Sequence, residues 1–490
     1  MPLRPQNLAE IAARVPVPTY DRSAVVPGIV HVGVGGFHRA HQAMYADALM
    51  NDGGPLDWGI LGIGLLPGDA RMRDVLDEQD GLYTLVLKGS DGSRTPRVIG
   101  SIVGYLFAPD DPDAVIEAMA APTTRIVSLT VTEGGYNLDH VTGEFDTTTP
   151  AVIADATGGA VPTTVFGLVT EALARRRERG IPPFTVSSCD NLQGNGTLAR
   201  KVFVGFAGMR DPDLADWVAE HVSFPNAMVD RITPATTDDD RHEVTELTGI
   251  DDGWPVVCEP FTQWVVEDDF PFGRPDWERV GAQLVDDVEP YELMKLRLLN
   301  ASHQAIAYPG YLAGYRLVHE AARDPLFAGF LRAYMDSEAT PTLAPVPGVD
   351  LDEYKATLIE RFSNAAVRDT IPRLAAESSD RIPKWVLPVI REQLAAGRPV
   401  DRAATIVAAW ARYAEGVDEE GEPIDIVDQL ADRIRANAAG QRDDPLAFVR
   451  DRRLFGELVD DEGFTGPYRW ALDRLHTRGA RATLAELAQR

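Results

Sequence analysis

Up to about residue 280 the chain alternates two patterns of hydrophobic and polar positions. Short runs dense in β-branched residues read as buried strands: GIVHVGVGG (28–36), WGILGIGLL (58–66), RIVSLTVTE (125–133) and FTVSSCD (184–190). Between them lie stretches of helical period, such as DAVIEAMAA (113–121) and TTVFGLVTEALARRRERG (163–180). The second of these closes on Gly180 behind a run of arginines, a helix C-terminal signal. Strand and helix in alternation predict a mostly parallel sheet with helices on both faces. Beyond residue 285 the strand signals fade, and helices are predicted over 289–307, 324–336, 351–366, 383–397, 403–416 and 423–439. The expected organisation is therefore α/β: a Rossmann-type domain over 1–284 and a mainly α-helical domain over 285–490. The segment 232–280, with its aromatic run EPFTQWVVEDDFPFG, reads as a small β excursion.

The helix PYELMKLRLLNASHQ (290–304) carries an unusual set of polar groups among its apolar ones. With Lys295 at zero and about 100° per residue, Glu292 falls near 60°, His303 near 80° and Asn300 near 140°. Leu296 and Leu299 lie in the same arc, while Met294, Leu298 and Ala301 cover the other side. A helix apolar nearly all round is buried. Ionisable groups are rare in such a place unless they are paired or used.

Bulk properties narrow the function. A chain of 490 residues exceeds one ordinary core, so two or three domains are expected. With 44 % hydrophobic and 25 % charged residues, the composition is that of a soluble globular protein. No apolar run reaches the roughly 18 residues of a membrane span, and MPLRPQNLAEIAARVP lacks a signal-peptide pattern. A net charge of −28, spread along the chain, repels nucleic acid and anionic membranes. Cys189 and Cys258 make no disulfide framework and no zinc spacing, which places the chain in a reducing cytoplasm. His38 and His41 lack metal-ligand spacing, so no metal is expected. Oligomeric state is not legible, and a monomer stays open.

HVGVGGFHRAHQ (31–42) puts Gly33-x-Gly35, followed by Gly36 and Phe37, after the first strand and at the opening of a helix. Glycines there let the backbone turn tightly against a pyrophosphate, whose charge the helix N-terminus stabilises. His38 stands where a third glycine belongs. A dinucleotide site also wants a carboxylate after the second strand. Asp57 has the usual sequence distance but precedes that strand, whereas Asp69, in LLPGD, follows it. A carboxylate there repels the extra phosphate of NADP, so NAD is the expected cofactor. Gly62-x-Gly64 lies within a strand or just past it and opens no helix. Three further motifs fall at strand ends: SLTVTEGGY delivers Glu133, VSSCDNLQGNG delivers Asp190 and Asn191, and FPNAMVDRITP delivers Asp230 and Arg231.

Together GVGGFHRAHQ, TEGGY, CDNLQGNG, FPNAMVDRI and the Lys-x4-Asn-x2-His of KLRLLNASH resemble the polyol-specific long-chain dehydrogenases, the mannitol 2-dehydrogenase family. The resemblance covers essentially the whole chain. It implies a zinc-independent enzyme with a Rossmann-type half, a helical half and an active site between them. It further implies Lys295 as general base, and Asn191 and Asn300 as donors to the developing alkoxide. His303, Asp230 and Arg373 would position substrate, Glu133 would gate or relay protons, and Asp69 would hold the ribose. A basic residue of SDRIPK completes the substrate contacts, Arg381 and Lys384 both being candidates. Glu292 joins the catalytic set through its place on the helix.

The residue chemistry agrees. A polyol is uncharged and must be held by many hydrogen bonds. A lysine that serves as base must have its pKa lowered, and burial does this. Asparagine donors aimed at an alkoxide act as the charge develops, where a metal would otherwise act as Lewis acid. The expected reaction is oxidation of D-mannitol to D-fructose, with D-arabinitol or sorbitol as alternatives. A fructuronate or tagaturonate reductase is the nearest rival and would want an extra cation for the substrate carboxylate. A non-catalytic nucleotide sensor would explain Gly33 and Gly35 but not Lys295, Asn191 and Asn300 together.

Overall fold

The computed structural model describes residues 1–138, 143–159 and 161–490. The chain divides into two compact units, Met1–Gly89 with Ser93–Val288, and Glu289–Arg490 with Ser90–Gly92. The sequence-based boundary of 284/285 falls four residues earlier, inside the last strand of the first unit.

The first unit is built on a five-stranded parallel sheet. Its strands are β1 (Pro27–Val32), β2 (Gly59–Gly64), β3 (Ile102–Phe107), β4 (Ile126–Leu129) and β5 (Thr185–Ser188), in the order β3-β2-β1-β4-β5. The chain reverses its lateral direction between β1 and β4, which makes the crevice at their carboxyl ends the ligand-binding position of such a sheet. Side chains alternate across β1. Val30 and Val32 enter one core with Val127, Leu129, Val186 and Phe203, while Ile29 enters another with Ile60, Ile126 and Trp264. Both faces are thus covered, which is why these strands read as unbroken apolar runs.

Two smaller sheets were less legible. Tyr83–Lys88 pairs antiparallel with Arg94–Ile99 and parallel with Val256–Cys258. Gln263–Glu267 pairs antiparallel with Ala227–Asp230 and parallel with Gln283–Val285. The expected β excursion of 232–280 therefore also holds a helix, Asp238–Thr248, opened by a capping box between Thr237 and Asp240. Cys189 and Cys258 are free and buried, and burial pushes both thiols up to about 12.

The second unit is helical. Two predicted helices need correction. The stretch 383–397 is two helices, Ser378–Trp385 and Leu387–Ala395, broken at Val386 just before Pro388. The predicted helix 423–439 begins only at Ala431. Its first half spends its hydrogen bonds elsewhere: Glu377 N donates to the Val427 carbonyl (2.8 Å), and Asp428 accepts from Ser378 Oγ and Ser379 N (both 2.8 Å). Side-chain bonds of this kind compete with helix formation. Near the unit's centre runs Asp401–Tyr413, buried from Ala403 onward and capped by the Glu338 carboxylate, which accepts from Arg402 N and Ala403 N. Among the described residues no helix is long and apolar enough to cross a membrane.

Candidate active site

The glycine turn follows β1 as predicted. Gly33 has φ +92°, and a Cβ there would sit 2.3 Å from the Thr130 carbonyl oxygen. Only glycine makes that approach without strain. Gly35 caps the helix Gly36–Ala40, which carries Phe37 stacked on His41 (centroids 5.0 Å apart). His38, in place of the third glycine, turns into the core and stacks face to face on His31 of β1 (3.4 Å, 7°). A flat ring thus supplies the close helix–sheet packing that glycine otherwise gives. His31 also fixes the turn. Thr130 Oγ1 donates to the Gly33 carbonyl (2.7 Å), so it accepts from His31 Nε2, and His31 Nδ1 then accepts from Ser128 Oγ (2.8 Å). Burial lowers the His31 pKa to about 3, which keeps this tautomer neutral. Alternation along β1 was the available signal for His31, an inward polar residue in an apolar strand.

Three more predicted motifs leave the same sheet edge, because the strands are parallel. After β2, Asp69 Oδ2 accepts from Leu65 N (2.9 Å) and Leu66 N (2.8 Å), which seats the carboxylate at the end of that strand. Asp57 lies at the other end and pairs with Arg125 (2.9 Å). Gly62 and Gly64 are strand glycines whose missing side chains leave room for Tyr105. After β4, exposed Glu133 opens the turn Glu133–Tyr136, preceded by Thr132 at φ +64°, a costly conformation for threonine. Asp190, after β5, holds that turn by accepting from Thr132 N (2.8 Å), Val131 N (3.2 Å) and Tyr136 Oη (2.8 Å). Its neighbour Asn191 is exposed. The motif residues thus divide: Asp190 builds, and Asn191 and Glu133 face outward. Asn195, which the sequence reading passed over, ties β5 to the next sheet through the Asp190 carbonyl and the backbone of Ala227. Asp230 is buried at the end of Ala227–Asp230, while Arg231 is spent on the Glu259 and Ala40 carbonyls.

In the second unit the polar helix is continuous but not uniformly α. Glu289–Met294 and Ala301–Leu312 are α-helical, and Lys295–Asn300 between them forms a π turn. Ala301 N–H donates to the Leu296 carbonyl, five residues back. Glu292, Lys295 and Asn300 are buried. His303 is half-buried and packs on Phe362 (4.7 Å). Two helices that carry the predicted cations pack against this one, Ile371–Ala375 and Ser378–Trp385. Arg373 makes a two-pronged bond to Asp369 (2.6 and 2.5 Å). Burial raises the Asp369 carboxyl, but the Arg373 guanidinium outweighs it, and with His303 nearby the net shift is downward. Asp369 is thus a member of the cluster, and its i, i+4 spacing to Arg373 was the signal for it. Arg381 donates to the carbonyls of Arg373 and Leu374 (both 3.0 Å), and Lys384 pairs with Asp380 (2.7 Å) at the surface. Among the described residues no group of three or more His, Cys, Asp or Glu side chains is placed to hold a metal ion.

Strand order and the glycine turn define the first unit as a Rossmann-type α/β domain, here followed by a helical one. Family models agree for both parts: the mannitol dehydrogenase Rossmann domain matches residues 27–279, and the mannitol dehydrogenase C-terminal domain matches 287–476. The chain belongs to the mannitol dehydrogenase family. It is 47 % identical to the mannitol 2-dehydrogenase of Aspergillus fumigatus, with 98 % of each chain covered. It is 46 % identical to that of Phaeosphaeria nodorum, covering 99 % of this chain and 85 % of the relative. Among solved structures it is similar to the Pseudomonas fluorescens mannitol 2-dehydrogenase ternary complex with NAD and D-mannitol, with TM-score 0.89, 47 % identity and all of both chains covered. A substrate-free D-sorbitol dehydrogenase superposes with TM-score 0.91 at 37 % identity, covering 99 % of this chain and 100 % of the other.

Proposed function

We propose that this protein is an NAD-dependent polyol dehydrogenase that interconverts D-mannitol and D-fructose without a metal ion. The observation that carries the reading is the full-length, 47 % identical likeness to a mannitol 2-dehydrogenase solved with NAD and D-mannitol. The residues fit the cofactor. Gly33, Gly35, Gly36 and Phe37 would hold the pyrophosphate at the turn after β1, which Gly33 at φ +92° makes tight and where a Cβ on Gly35 would meet no atom nearer than 3.9 Å. Asp69, with Oδ2 bound to backbone, would offer Oδ1 to the ribose hydroxyls. Bound there, NAD would supply the acceptor for the hydride that leaves the carbinol carbon.

The chain's own groups handle the proton and the charge. The Lys295 amine takes the hydroxyl proton, so that one hydride and one proton leave the alcohol and a ketone remains. Asn300 and Asn191 donate to the oxygen as negative charge grows on it. His303, Asp230 and Arg373 hold the other hydroxyls, with Arg381 or Lys384 as a further contact. Glu292 adjoins the base on its helix, and Glu133 passes the proton outward. Two buried free cysteines suit the reducing cytoplasm proposed as its compartment. A monomer is proposed, which its mass in solution would check.

Two of the three predicted cations of the second unit favour a polyol over a sugar acid. Arg373 is neutralised by Asp369, Lys384 by Asp380, and Arg381 is bound to two backbone carbonyls. Arg373 and Lys384 therefore offer no uncompensated charge to a substrate carboxylate, while Arg381 keeps its charge with Nη1 held by the carbonyls. The test follows NADH absorbance with mannitol, arabinitol, sorbitol and mannonate, before and after treatment with a chelator. Mannitol is expected to give the highest kcat/KM, unchanged by chelation. Turnover of mannonate alone would reject the polyol, and NADH binding without any turnover would favour a sensor.

Cofactor choice can be tested separately. Asp69→Ala removes the carboxylate that repels a 2′-phosphate. The NADP/NAD ratio of kcat/KM should rise by roughly tenfold or more. An unchanged ratio would assign the ribose to another group.

A further inference from the structure

The π turn over Lys295–Asn300 changes which residues share a side of the helix. A turn closed by an i→i+5 bond takes up one residue without advancing the helical phase, so later residues fall back by about 100°. In uniform α geometry Asn300 would stand about 140° from Lys295 and His303 about 80°. With the π turn they stand near 40° and −20°. With Glu292 near 60°, the four polar groups then share a sector of about 80° in place of about 140°. π turns are rare and less favourable than α geometry, so something must hold this one.

The candidate anchor lies inside the turn. Arg297 is a buried arginine on the side away from Lys295. Its guanidinium forks onto the Glu392 carboxylate (2.8 and 2.6 Å), and Nη1 also donates to the Thr342 carbonyl. A planar fork of this kind fixes both position and orientation. It ties the middle of the turn to the helix Leu387–Ala395 and to the segment Thr340–Thr342.

We propose that Arg297 is a positioning residue, which holds the π turn in place and so keeps Asn300 and His303 on the side of the helix that bears Lys295. The inference rests on Lys295 being the base. Arg297 itself touches neither substrate nor cofactor.

The experiment compares Arg297→Met, Arg297→Lys and Glu392→Gln with the unaltered enzyme and with Lys295→Ala, measuring kcat, KM for mannitol, NADH affinity and Tm. Arg297→Met should lower kcat per folded molecule by about a hundredfold or more with NADH affinity unchanged. Arg297→Lys, which keeps the charge but not the fork, should recover part of the loss. Glu392→Gln, at a half-exposed carboxylate, should give a smaller loss of kcat with little change in Tm, and it decides the matter should Arg297→Met not fold. A merely structural arginine would lower Tm and yield but leave kcat per folded molecule intact, and that result would overturn the proposal. Failure of the underlying reading would look different, because Lys295→Ala would then stay active.

Discussion

Lys295→Ala is expected to lower turnover of mannitol by about a thousandfold or more while leaving NADH affinity within about twofold. Lys295 is buried in the π turn, and its amine is the proposed acceptor of the hydroxyl proton. Without that acceptor the oxygen must lose its proton to water as hydride departs, and general base catalysis is lost. NADH affinity should hold because the glycine turn is built by residues of the first unit, from Gly33 to Thr130. The check pairs steady-state kcat with NADH binding followed by fluorescence. Added methylamine should restore part of the rate, since a small amine can stand in for the missing one. A variant that kept a tenth of the rate would remove Lys295 as the base.

Gly33→Ala should weaken NADH binding by about a hundredfold, close to 2.7 kcal/mol, and lower Tm as well. Two causes add. Alanine at φ +92° is strained, at a cost of about 1–3 kcal/mol. Its Cβ would also lie 2.3 Å from the Thr130 carbonyl oxygen, which cannot swing aside. Thr130 N–H is bonded to the Val32 carbonyl (3.0 Å), and its hydroxyl to the Gly33 carbonyl, so the clash must open the turn itself. Gly35→Ala is the control. Its φ is −111°, and no atom lies nearer to the added Cβ than 3.9 Å. That variant should keep its Tm and lose cofactor affinity alone, because the methyl group would meet no protein atom closely and would project toward the proposed pyrophosphate position. Unchanged affinity in Gly33→Ala would move the cofactor away from this turn.

Local signals carried far in this chain. Apolar runs such as GIVHVGVGG are strands because a sheet covered on both faces demands continuous hydrophobicity. Gly33 was legible as a turn because no other residue tolerates that backbone. The polar arc of 290–304 was legible as buried because apolar residues surround it. Where neighbours in space compete with neighbours in sequence, reading failed. PIDIVDQ has helical period, yet it pairs with Glu377 and gives Asp428 to Ser378 and Ser379, bonds that no window of sequence contains. The hairpin of Tyr83–Lys88 and Arg94–Ile99 was passed over, though its alternating residues and its glycine-containing turn were there to be read.

By itself, then, the sequence determined the strand–helix alternation, the glycine turn after the first strand, the passage from an α/β to a helical half, and the burial of Glu292, Lys295 and Asn300 on one helix. These follow from hydrophobic period and from backbone sterics, which act over a few residues. Only the tertiary structure decided that Asp190 builds while Asn191 faces outward, and that six residues from Lys295 to Asn300 wind as a π turn. Asp190 bonds to Thr132, 58 residues back, and Arg297 within the turn bonds to Glu392, 95 residues on, and partners that distant leave no periodic trace.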